Sequence, residues 1–224
     1  MKQPVVDYRT FRLSKINRPE FAHLKLLLGW LVYFLFYYLT ENFIPVESCH
    51  LIHSRLDEII PFNEFFFIPY CFWYALIVLS LGYFLLYDIQ NFKNLQIFII
   101  ITQVAAMAVY ILYPSYQDLR PASFERNNLF THVAAFIYAF DTPTGVCPSL
   151  HVAYSIGIAS CWLKEKKASP GWKAFVAFAA VLISFSTMAV KQHSFIDVMA
   201  AIPVGLLAEI LVFHKYWKKR LQKV

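Results

Sequence analysis

The sequence predicts an all-α polytopic membrane protein, a six-transmembrane-helix bundle forming one integral domain over residues 1–224, with its working site at the outer membrane face. Three observations predict it. Hydrophobic residues make up 59% of the 224-residue chain and aromatic residues 18%, whereas only 15% are charged, against roughly 25% in an ordinary soluble domain. The apolar residues fall in long uncharged runs, and since a helix needs ~20 residues to cross a hydrocarbon core of ~30 Å, five to seven spans fit. No polar stretch exceeds about 35 residues, fewer than the ~50 of a small independent domain. Any chemistry is therefore done at or inside the bilayer.

Taken in order, the uncharged or nearly uncharged runs are Phe21 to Ile44, Phe65 to Tyr87, Leu95 to Tyr113, Ser149 to Leu163, Trp172 to Val190 and Ser194 to Phe213. The first follows a polar, basic leader (residues 1–20), is too long for a signal-peptide core and has no small-residue cleavage site behind it, so it reads as a retained signal anchor. The second is the clearest, with 23 consecutive uncharged residues. The fourth has only 15 before Lys164, short for a full crossing, which places its start below the membrane surface. Between the third and fourth lies a 35-residue connection with an apolar patch, Phe130 to Phe140; at 11 residues it predicts an interfacial or re-entrant helix rather than a span.

Basic residues set the orientation, because Lys and Arg accumulate in cytoplasmic loops. The leader with Lys25, the 2/3 loop, the 4/5 loop with Lys173 and the tail (residues 214–224) hold 16 of the 20; the other face holds Arg55, Arg120, Arg126 and Lys191. Both termini are thus predicted cytoplasmic and the 1/2, 3/4 and 5/6 connections extracytoplasmic. The net charge of +6 is then a topology signal and not a mark of nucleic-acid binding. The implied surroundings are the lipid bilayer of the cytoplasmic membrane.

Three stretches at that outer face keep polar residues: Tyr113 to Pro121 (YPSYQDLRP), Cys147 to His151 (CPSLH) and Ser186 to Asp197. They close span three, open span four and join spans five and six, so an antiparallel bundle brings Arg120, Ser149, His151, His193 and Asp197 to one end. His193 and Asp197 are four apart, which on a helix stacks an imidazole over a carboxylate that accepts its ring N–H and leaves the other nitrogen nucleophilic. Pro148 suits a helix start, where free N–H groups bind phosphate oxygens. Arg120 offers a planar, permanently charged fork for the same oxygens. Taken singly, each has an ordinary reading as well: an interfacial His and Asp facing water, a capped helix with a buried His, an interfacial Arg.

In order and spacing these three stretches resemble the signature motifs of the type 2 phosphatidic acid phosphatase superfamily, over roughly residues 110–205. The resemblance implies a six-helix bundle and a phosphohistidine mechanism that needs no metal or cofactor. It makes His193 the nucleophile, Asp197 its orienting carboxylate and His151 the general acid, with Arg120, Ser149 and the Leu150 amide holding phosphate oxygens. It also implies a membrane lipid phosphate as substrate. Where the fullest motifs carry a Lys, a Gly and an Arg, this chain has Tyr113, Leu150 and Thr187. Two fewer cations fit a singly charged phosphodiester better than a dianionic phosphomonoester, and reduced motifs with PSLH are similar to those of the inositol phosphorylceramide synthase branch. Lys191 either restores one charge or snorkels outward.

Other residues are weighed at the same face. Glu41, at the outer end of span one, is a candidate to line the cavity. Arg126 and His132 lie where they reach a head group or simply pack at the interface. Cys49, His50 and His53 have metal-ligand chemistry but no second cluster to match; Cys49 and Cys147 share a side and are candidates to pair in an oxidising compartment. Glu209, near the inner end of span six, has no evident partner. Two further readings stay open: His151, His193 and Asp197 as metal ligands, and a small lipid transporter or scramblase using the same polar cavity.

Overall fold

The computed structural model describes residues 3–221. Lys2 and Lys223, and the side chains of Lys219 and Arg220, all in the basic count above, lie outside what it describes. The described chain is mostly helical. A 3₁₀ stretch at Ala22–Leu27 leads into α1 (Leu28–Phe43), the outer connection holds the single turn α2 (Arg55–Ile59), and α3 (Phe67–Tyr87) is entered through a 3₁₀ turn at Glu64–Phe66. Then come α4 (Ile89–Leu112), α5 (Leu129–Phe140), α6 (Leu150–Lys164), α7 (Pro170–Ala189) and α8 (Phe195–Leu221).

Among the described residues, five helical stretches are long and apolar enough to cross a membrane: Ala22–Phe43, Glu64–Tyr87, Ile89–Leu112, Pro170–Ala189 and Phe195–Lys218. The fourth predicted span, α6, has 15 residues and, at 1.5 Å per residue, is about 22 Å long. It compensates by centrality. It packs against α4, α7 and α8, and ten of its residues are buried. Gly157 permits the closest of these approaches: a Cβ there would stand 2.5 Å from the Phe98 ring of α4. By contrast α1 buries none of its residues and leans on α4 from outside.

Helix ends follow local capping rather than the charge boundaries. Asp88 accepts from the Asn91 amide and starts α4 at Ile89, six residues before the predicted Leu95, because a side-chain cap satisfies the orphan N–H groups and Lys93 costs little at a helix end. Ser169 and Pro170 do the same for α7. Asn128 caps α5 with Thr131 answering back, so the predicted apolar patch is a separate short helix.

The two ends of the bundle are built differently. At one end a short parallel pair, β1 (His50–Leu51) with β2 (Ser115–Tyr116), is extended by a bridge from Tyr116 to Thr144, tying three connections into one cap. At the other end Glu209 has the partner the sequence concealed: Lys164 Nζ lies 2.5 Å from it, with Trp217 Nε1 at 2.9 Å and the Ser160 hydroxyl also donating. The ammonium sits over the Phe213 ring at 4.3 Å, where a non-helical residue bends α8. At that same end the leader folds back on α3, the Tyr8 hydroxyl donating to Leu85 O at 2.9 Å. The expected pairing of Cys49 with Cys147 is corrected: both are free thiols. Cys49 is turned to the Pro45 carbonyl, whereas Cys147 lies against Asp197, and burial together with that carboxylate pushes its thiol up to about 12.

Candidate active site

The α7–α8 junction is a tight turn, and the backbone amides of Gln192 and His193 both donate to the Thr187 carbonyl. That folds His193 back over the end of α7, just before α8 begins. Ser194 N donates to Asp197 Oδ2 at 2.8 Å, an N-terminal cap within one turn. The same carboxylate oxygen is 3.4 Å from His193 Nδ1. An ionised carboxylate only accepts, so Nδ1 carries the proton and Nε2 is left with its lone pair. Asp197 is fully buried and His193 is 8% exposed.

Facing His193, α6 presents His151 in its first turn, directly after Leu150. Its Nδ1 is 3.4 Å from His193 Nε2. The ring is held between Tyr70 and Trp73, with centroids at 4.7 and 4.3 Å. Helices α6 and α8 are locked in register by Ser149 N donating to Asp197 O at 3.1 Å. Ser149 Oγ and His151 Nε2 are buried with no hydrogen-bond partner among the described residues, a costly condition unless a ligand or water completes them.

The other predicted residues are placed less uniformly. Arg120 is brought to the same end, but its guanidinium is engaged by protein: NH1 donates to Tyr138 O and Asp141 O at 3.2 and 2.8 Å, and NH2 to Gln192 Oε1 at 2.5 Å. It thereby caps the C-terminus of α5 and stacks on Tyr138 at 4.6 Å. Burial pulls the guanidinium below the usual arginine range, against the pull of Asp141. Lys191 neither faces the cavity nor snorkels outward: Nζ donates to Asp57 O and Ile60 O at 2.6 and 2.5 Å, capping α2, and burial lowers its ammonium. Tyr113 is exposed and stacks on His50, with centroids 4.0 Å apart. The Thr187 hydroxyl bonds back to Ser184 O, so this residue serves the turn through its carbonyl. Glu41 accepts from Thr142 and Thr144 and holds the loop after α5, where Gly145 takes φ +58°, a backbone angle that favours glycine. Arg126 pairs with Glu64 and His132 with Asn127, away from the histidines.

A cavity of about 880 Å³ opens beside the two histidines, within the size range of small-molecule sites. Its wall is apolar: Trp30, Phe34, Val78 and Phe136 stand among the lining residues. Two polar members escaped sequence reasoning. Gln192 lines the cavity and donates to Asp141 Oδ2 at 3.0 Å, while Asp141 Oδ1 accepts from the Tyr37 hydroxyl at 2.8 Å. Gln192 is adjacent to His193 and so was within reach; Asp141 lies in an unassigned loop and gave no signal. Among the described residues that line the cavity, Asp141 is the one carboxylic acid.

An imidazole oriented by a buried carboxylate and facing a second imidazole beside an apolar cavity has the chemistry for nucleophilic attack with proton transfer to a leaving oxygen. Comparison with curated proteins and with solved structures returns no match. Residues 94–221 match the model of the PAP2 superfamily, more than half of the 224 residues, and the chain belongs to that superfamily.

Proposed function

We propose that this protein is an integral-membrane lipid phosphate phosphatase that cleaves its substrate through a phosphohistidine at His193. PAP2 superfamily members are phosphatases and phosphotransferases acting on phosphate esters; the finer reading rests on the His193, His151 and Asp197 constellation beside an apolar cavity. His193 Nε2 attacks phosphorus as the ester P–O bond breaks, and His151 gives its proton to the departing oxygen. Asp197 stabilises the imidazolium that forms, as in other carboxylate-oriented histidines. The backbone amide of Leu150 and the Ser149 hydroxyl at the start of α6 take phosphate oxygens, and Arg120 supplies the cation once phosphate replaces Gln192 as its acceptor. In the second half, His151 draws a proton from water, which attacks the phosphohistidine and frees inorganic phosphate. At 3.4 Å the two imidazoles are bonded to each other, so substrate enters by parting them.

A second reading keeps the triad and exchanges water for a lipid hydroxyl, giving a head-group phosphotransferase. The cations favour it: with the Arg120 guanidinium and the Lys191 ammonium both engaged by carbonyls, a singly charged phosphodiester is accommodated at lower electrostatic cost than a dianion. In either case the apolar wall takes the hydrocarbon chain. Six spans, cytoplasmic termini and an extracytoplasmic site complete the proposal; the excess of Lys and Arg in the opposite connections supports it.

One panel tests all of this. The purified protein and His193→Ala are given a lipid phosphomonoester and, separately, a phosphodiester donor with a hydroxyl lipid. Free phosphate supports the phosphatase, head-group exchange the transferase, and turnover that survives His193→Ala rejects both. In sealed right-side-out vesicles, short-chain donors added outside should be consumed; consumption only after permeabilisation puts the site on the other face.

A further inference from the structure

Resting on the phosphohistidine reading above, we propose that Asp57, in the connection between α1 and α3, is a positioning residue for the nucleophile His193. Its carboxylate is 3% exposed and is shared between its own turn and the catalytic one. Oδ2 accepts from Ser54 N at 2.7 Å and from the Ser194 hydroxyl at 2.6 Å; Oδ1 accepts from Phe195 N at 2.7 Å. Ser194 and Phe195 directly follow His193 and open α8, so Asp57 is a negative charge from a distant segment placed at that helix's N-terminus. The linkage continues inward: Ser194 N donates to Asp197 Oδ2, which faces His193 Nδ1.

The same turn is gripped a second time. Lys191 has φ +55°, a left-handed conformation that a residue with a side chain adopts only where its surroundings hold it there. Its ammonium is held by the carbonyls of Asp57 and Ile60, and Asn63 N donates to Ala189 O at 3.0 Å on the other side of the turn. The segment 54–63 therefore clamps residues 189–195 from Ala189, Lys191, Ser194 and Phe195. The polar atoms of Asp57 and Lys191 are taken up by the clamp itself, and both act by fixing where the imidazole stands. Small displacements of a nucleophile are costly, a 1 Å shift lowering rates about 100-fold.

Asp57→Asn keeps the volume but has one acceptor oxygen where three donors converge, which releases either Ser194 or Phe195. Ser194→Ala deletes the hydroxyl's link to Asp57, along with its acceptance from Ile196 N, and leaves Asp57 in place. Both variants, wild type and His193→Ala are assayed on the lipid phosphoester, with kcat and KM expressed per folded molecule and folding followed by thermal midpoint. The expected result is a kcat lowered about 10- to 100-fold in Asp57→Asn and about 3-fold in Ser194→Ala, with KM within about 2-fold of wild type. A purely structural role would reduce the folded fraction and leave kcat per folded molecule unchanged, which overturns the proposal. Where Asp57→Asn does not fold, an unchanged kcat in Ser194→Ala overturns it alone. Turnover that persists in His193→Ala is a separate result and defeats the phosphohistidine reading on which the proposal stands.

Discussion

His193, Asp197 and His151 meet with both inter-ring and ring-to-carboxylate separations at 3.4 Å, long for hydrogen bonds but within the range that free active sites show before substrate tightens them. Asp197→Asn keeps the shape of the carboxylate and loses its charge, and an amide nitrogen turned toward Nδ1 favours the wrong imidazole tautomer. Turnover should fall about 10²- to 10⁴-fold with little change in KM, measured by steady-state kinetics. An activity within a factor of two of wild type would remove Asp197 from the account. The His193 and Asp197 pair is legible from its spacing of four because the contact is local, although His193 stands in the turn before α8 and meets Asp197 across the helix start and not along a helix face. The cations are not legible in this way. For Arg120 and Lys191 the sequence carries charge and face, whereas what decides their placement is which carbonyls lie within reach: the end of α5 for one, the end of α2 for the other. Neither helix end was visible as a partner in the sequence.

At the scale of elements, the runs of uncharged residues located the long helices well, since apolar length is what a bilayer selects. Their ends were placed less well: capping by Asp88, Ser169 and Asn128 sets them, and a cap is a short-range contact that charge counting overlooks. Helix α6 shows the other limit. It is short, central and bounded at its inner end by Lys164, whose charge ended the predicted span. That lysine is itself packed inside, bonded to Glu209 and Ser160 and covered by the rings of Phe213, Tyr216 and Trp217. Lys164→Ala leaves the Glu209 carboxylate buried without its cation and should destabilise the protein by about 3–5 kcal/mol, seen as a lowered thermal midpoint in detergent. Lys164→Ala with Glu209→Gln should recover part of it. Equal midpoints for wild type and the single variant would show that this pair does not hold α6 to α8.

For the whole molecule, the arrangement is a bundle with one tightly tied end and one chemically equipped end. The leader and the Lys164–Glu209 network close the first. The paired strands, the α2 clamp and α5 gather three connections at the second, around an apolar cavity that reaches the histidines. Fold class followed from composition, and the convergence of motifs followed from antiparallel topology. What composition could not convey is the content of the connections: α2 is a single turn with no periodicity to reveal it, yet it braces the turn that holds His193. The central claim is that phosphorus becomes bonded to His193. The most direct measurement is to quench wild-type protein during turnover of a lipid phosphoester under alkaline conditions and map the phosphoryl group by mass spectrometry. The account predicts an acid-labile phosphohistidine at residue 193, absent from His193→Ala. Turnover with no phosphate on His193, or an equal label in that variant, would contradict it.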